Sequence, residues 1–256
     1  MGETRERRSS SGTAGGTGGA TGGAGLGAGV ARAAGWALGA GFAALAAVRR
    51  PHPIHPHGVV LHGSLTRTGS GLATGVPWLD EPADAVPVLA RASRSAGVAA
   101  PLPDVIGLAV RLDGGGRPAD LELASTGVGW PWRFALVPHV SPSRALLGSL
   151  LPYRTPTGPV LLAARTVAPD DLPAEPDALA RRLERQPWRL ALLAARPRGE
   201  WHRVGELVLR RAPGPRDALL RFDAGRHPLP GTEQYAWVRR LRDPAYRRVQ
   251  GDIDAG

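Results

Sequence analysis

The rhythm of hydrophobic and polar positions changes twice along this chain. Residues 1–28 are Gly, Thr, Ser and Ala around a few charges, with almost nothing to bury. Such a segment cannot offset its ordering entropy and is expected to be a disordered tail. Residues 29–50, "GVARAAGWALGAGFAALAAVRR", are apolar and Ala-rich. Their uninterrupted apolar part after Arg32 falls short of the ~20 residues a membrane span needs. A helix packed on the domain is expected there, with a membrane anchor as the alternative. The early arginines lie far from the apolar run, which does not suit a signal peptide.

From residue 51 the pattern becomes one of strands. In "GVVLHGSLTRT", Val60, His62, Ser64 and Thr66 alternate with Val59, Leu61 and Leu65, as in a half-buried strand. "DVIGLAVRL" runs through "DGGGRPAD" into "LELAST", which predicts a hairpin. "GPVLLAARTVA" predicts another strand, "WRLALLAARPRGEWHRVGELVLRR" two more, and "DALLRFD" a further one. "DALARRLERQ" has helical spacing, with Asp177 at its cap. Seven or eight short strands with few helices point to an α+β chain built on an antiparallel barrel with helical additions.

Composition narrows the chemistry. The chain has 256 residues and a formal charge of +10, yet contains no Lys. Its arginines are scattered, without the aromatic interleaving of a nucleic-acid surface, so no nucleic-acid partner is expected. With no Cys, thiolate catalysis, iron–sulfur ligation, Cys-type zinc sites and disulfides are excluded. A cytoplasmic protein is expected, with membrane association through 29–50 as the alternative; oligomeric state is left open.

Several blocks in order resemble the haem catalases. "HPHGVVLHGSL" is similar to the distal-histidine strand, with His55 and Gly58 in the motif, Pro56 in place of Ala, and Gly63 further along. "ARASRSAG" supplies Arg91, Ser93 and Gly97; "DVIGLAVRL" supplies Asp104, Gly107, Ala109 and Val110. "FDAGRHPLPGTE" is similar to the approach to the proximal helix, and "RDPAY" gives Arg242 and Tyr246 in an Arg-x-x-x-Tyr pattern. The resemblance covers roughly residues 52 to 248. It implies that residues 51–256 form a reduced barrel domain of the catalase type, holding haem b.

The resemblance assigns roles. Tyr246 would be the axial ligand of the haem iron, as a phenolate. A free phenol has a pKa near ~10, so a cationic neighbour such as Arg242 is needed to favour the charged form. Pro244 between them makes a continuous helix from Arg242 to Tyr246 unfavourable. His55 would shuttle the peroxide proton, Ser93 would hold its ring, and Arg91 would pair with a propionate. Trp130 and Trp132 are expected to pack in the core or at its rim.

Two departures from the family bear on activity. The distal asparagine position falls on Ala124 or Ser125, and the arginine expected three residues before the distal histidine is His52. A peroxidase acting on hydrogen peroxide or organic hydroperoxides is therefore expected rather than a fast catalase. Two rivals stand beside it. One is a metal-dependent phosphodiesterase using His52, His55, His57 and His62; the other is a non-enzymatic basic domain that binds RNA or an anionic surface.

Overall fold

The computed structural model describes residues 57–238, apart from Ala96, Ala99 and Leu219. The expected tail (1–28), the expected helix (29–50), and His52, His55, Arg242 and Tyr246 lie outside the described residues.

Ten strands run in chain order: β1 (His57–Thr68), β2 (Pro82–Arg94), β3 (Ile106–Asp113), β4 (Pro118–Thr126), β5 (Leu146–Gly148), β6 (Tyr153–Thr155), β7 (Gly158–Ala168), β8 (Trp188–Ala195), β9 (His202–Arg211) and β10 (Glu233–Gln234). Two short α-helices interrupt them, α1 (Pro77–Asp80) and α2 (Pro176–Arg185). Eight of the strands close on themselves in the order β1-β2-β3-β4-β5-β7-β8-β9, with β9 returning to β1, and every pairing is antiparallel. The antiparallel barrel expected from the strand pattern is thus present, and closure gives every barrel strand a neighbour on both sides. The β6–β10 pair stands apart as an extension from β7.

Period-two alternation decides which side chains fill the cylinder. Val59, Leu61 and Leu65 of β1 point inward with Ala90 and Ala92 of β2, Leu108 and Val110 of β3, and Leu121 and Leu123 of β4. Leu147, Leu162, Trp188, Leu190 and Leu207 complete the ring. Each Val or Leu among them contributes about 1.5–3 kcal/mol when fully buried, and each Ala less. The interior is solid. At the end where β1 begins, a void of about 10 Å³ lies among Val59, Ala92, Ile106 and Leu179, roughly the room one water needs.

Helix α2 packs against β1 and β9, burying Leu179, Ala180 and Leu183. It begins earlier than its sequence suggests. Glu175, not Asp177, is the N-cap, accepting from the amides of Asp177 and Ala178, and Pro176 follows in the first turn. One further expectation is corrected, and one strand was missed. "DALLRFD" forms no strand, because its aspartates are drawn into contacts with the barrel wall. β2 starts at Pro82 and continues through Pro87; both prolines hid it from a strand pattern, and Pro82 sits at the strand's first position, where its missing N–H is tolerated.

Gly63, read as part of the distal motif, has a packing reason of its own. A Cβ there would lie 1.8 Å from the Val208 carbonyl oxygen of β9. β1 and β9 cross too closely at this point for any side chain.

Candidate functional site

The cross-strand register produces one unusual row on the outer wall. Gly58 lies opposite Ser93, Ser93 opposite Gly107, Gly107 opposite Ala124, Ala124 opposite Gly148, and Gly148 opposite Ala163. Directly paired residues share a face. Their neighbours Val59, Ala92, Leu108, Leu123, Leu147 and Leu162 belong to the interior, so the row faces outward. Across six strands nothing larger than a hydroxymethyl group rises from it. With strands about 4.8 Å apart, the row follows the wall for roughly 24 Å.

Gly58 at one end of this row and Gly148, one strand short of buried Ala163 at the other, are each overlain by a polar group. A Cβ on Gly58 would lie 2.7 Å from Cζ of Arg91, and one on Gly148 would lie 2.6 Å from Oγ1 of Thr126. Thr126 is 2% exposed, and its hydroxyl has no hydrogen-bond partner among the described residues. Between these ends sit Ser93, Gly107 and Ala124, with Ser93 and Ala124 half-buried. The parallel row beside it carries Val60, Arg91, Ala109 and Glu122.

The structure places the two described members of the predicted site, Arg91 and Ser93, on this wall. Arg91 donates from Nε and Nη2 to Asp217 at 2.7 and 2.8 Å, and Asp217 also accepts from the Gly58 amide at 2.7 Å. A carboxylate therefore already occupies the fork that the resemblance gives to a propionate. Burial raises the pKa of Asp217, but the bonds from Arg91 and Gly58 outweigh it and hold the carboxyl below its ordinary range. Ser93, opposite Gly58, lies beside the strand end three residues after His55.

Ala124 and Ser125 lie on opposite faces of β4. Ala124 stands in the bare row, whereas Ser125 turns inward with Leu147, accepting from the Ile106 amide and donating to the Val137 carbonyl. No amide side chain stands at either position.

A second polar centre was not anticipated. The Asp120 side chain is fully buried, and its two oxygens accept from Arg111 at 2.7 Å each. It also accepts from the Asp223 amide at 2.8 Å, and His227 Nδ1 lies 2.9 Å from it. Arg111 further stacks over Phe222, 5.3 Å from the ring centre. Burial raises the Asp120 pKa, while Arg111, the Asp223 amide and His227 together hold it low. This centre fastens residues 221–227 to the barrel. The signal was present in the hairpin, since its turn fixes Arg111 opposite Asp120; the return of residues 221–227 was not.

The tryptophans are corrected. Trp130 is 54% and Trp132 67% exposed, because the loop after β4 leaves the wall at this point rather than turning into it. Of the histidine cluster, His62 is exposed on β1. Among the described residues no three His, Asp or Glu side chains gather as metal ligands, and no helix is long and apolar enough to cross a membrane. No protein-family model matches the chain, and no curated protein matches it in sequence.

Proposed function

We propose that the protein is a haem-dependent, catalase-like peroxidase acting on hydrogen peroxide or organic hydroperoxides, with the bare outer row as the floor of its haem site. That row carries the reading. A planar macrocycle makes van der Waals contact with a wall only where no side chain stands in the way, and here half-buried Ser93 and Ala124 flank buried Gly107 on a stretch that carries only small side chains. The filled barrel interior directs any such group to the outside.

Tyr246 would hold the haem iron through its phenolic oxygen, and Arg242 would favour its phenolate form. Arg91, already paired with Asp217, would be the guanidinium nearest a propionate. His55 would hold and return the proton of the hydroperoxide, with Ser93 positioning its ring. When bound, haem supplies the redox chemistry of O–O cleavage. Ala124 offers methyl where an amide would orient a small peroxide. This favours bulkier hydroperoxides over rapid disproportionation.

The test is the visible spectrum and iron content of the full chain produced with added haem precursor, beside Tyr246→Phe. A haem band that weakens or shifts in Tyr246→Phe is the expected result. A colourless wild-type protein, or a spectrum indifferent to Tyr246→Phe, overturns the reading. A rate of peroxide disproportionation comparable with full catalases would overturn the peroxidase assignment alone.

A further inference from the structure

The loop after β4 projects a charge-free tip. Residues 127–132 read Gly-Val-Gly-Trp-Pro-Trp, with Val128 48%, Trp130 54% and Trp132 67% exposed. Large apolar groups clustered at one protruding tip are unlike singly scattered surface hydrophobics. The tip is also held firmly. Arg133, 5% exposed, donates to the carbonyls of Arg196 and Gly199 at 2.9 Å each and lies over Trp201 at 4.9 Å. Trp201 in turn donates to the Val128 carbonyl. The loop is thereby pinned to the β8–β9 turn.

Four of its carbonyls are already paired within the protein. The carbonyl of Val128 accepts from Trp201, that of Gly129 from Arg133, that of Pro131 from Phe134, and that of Trp132 from Gly127 and Ala135. Pro131 has no amide to satisfy. Polar backbone groups that are already paired cost little to remove from water, whereas unpaired ones cost several kcal/mol each. Beside the tip, exposed Arg198 lies 4.9 Å from the Trp130 ring centre, where its charge meets whatever the indole meets.

We propose that this tip seats the barrel on an anionic lipid surface, with Val128, Trp130 and Trp132 entering the headgroup boundary and Arg198 pairing with lipid phosphate. Indole rings favour that boundary because one end is apolar and the other polar. A basic protein is drawn to such a surface before contact. A single-stranded nucleic acid fits less well. It needs a succession of cations among the stacking rings to follow its backbone, whereas only Arg198 stands over an exposed indole of the tip.

The test uses the full chain and co-sedimentation with vesicles of phosphatidylcholine and phosphatidylglycerol in equal parts, against phosphatidylcholine alone. Trp130→Ala with Trp132→Ala should lower partition at least about tenfold, equivalent to about 1.4 kcal/mol. Arg198→Glu should weaken the preference for the anionic vesicles. Bromine-labelled lipid should quench indole fluorescence in the wild type, and less in Trp130→Phe with Trp132→Phe, a pair that preserves ring packing. The proposal fails if the wild type does not sediment with anionic vesicles. It fails equally if the alanine pair, folded by circular dichroism, sediments like the wild type, since another part of the chain then carries the contact. Tip-dependent binding of a labelled single-stranded RNA without vesicle binding would reassign the surface to nucleic acid.

Discussion

Arg91 and Asp217, 126 residues apart in sequence, meet through two parallel hydrogen bonds of 2.7 and 2.8 Å. Their side chains are 15% and 23% exposed, and the same carboxylate holds the Gly58 amide at the start of β1. One aspartate thus joins the first barrel strand, the second and the long segment after β9. Removing it leaves a half-hidden guanidinium and an amide without their acceptor. Asp217→Ala should cost about 2–3 kcal/mol, the scale for hydrogen bonds to charged groups. Urea unfolding of Arg91→Ala, Asp217→Ala and the double variant checks this. A coupling energy below about 0.5 kcal/mol would reduce the pair to surface decoration.

Acid should act on both aspartate centres. Asp120 and Asp217 each have folded pKa values below the ordinary 3.8. Their contribution to stability is complete above that value and lost as pH falls through the lower, folded one. The melting temperature should therefore fall steeply below about pH 4. Asp120→Asn, which keeps the shape without the charge, should melt lower at neutral pH and show a flatter acid limb. Burial also lowers the pKa of His139 from 6.5, so a milder loss begins as pH drops below that value.

The crossing of β1 and β9 should be intolerant of any side chain. Gly63→Ala places a carbon 1.8 Å from the Val208 carbonyl, which neither backbone can yield to without breaking the ladder. A loss of about 3 kcal/mol or more is expected, on the scale of severe overpacking. Gly71 has open space around its missing Cβ, and Gly71→Ala should change stability by less than about 0.5 kcal/mol. Equal effects in thermal melts would refute the close-approach explanation.

The bare outer row can be tested apart from the ligand tyrosine. Ala124→Leu raises an isobutyl group from the centre of the wall while leaving the interior untouched. Haem retained per chain, read from iron content, should drop about tenfold or more, a difference of about 1.4 kcal/mol, with little change in melting temperature. Undiminished retention would move the site elsewhere.

What the sequence made legible was local. The β3–β4 hairpin followed from its Gly-rich turn, and β7 from the Pro-Thr-Gly before it, because turn chemistry and period-two alternation act over a few residues. β2 escaped through Pro82 and Pro87, whose penalty holds only where a ladder donor is required. The aspartates of "DALLRFD" could not be recognised as clamps, because Arg91, Gly58 and Asp120 meet them across more than a hundred residues. For the candidate site, Arg91 and Ser93 were reached through resemblance alone. The bare row needed five successive registers, which no single strand encodes.

Because β7 and β8 complete the ring, each of the eight barrel strands has a neighbour on both sides. Strand addition by another copy of the chain is left with short margins outside the ring's ladders, such as the two-residue Glu233–Gln234 strand. So short a template gives little purchase to cross-β stacking, and a nascent chain that has joined its last barrel strands has already passed its most aggregation-prone stage.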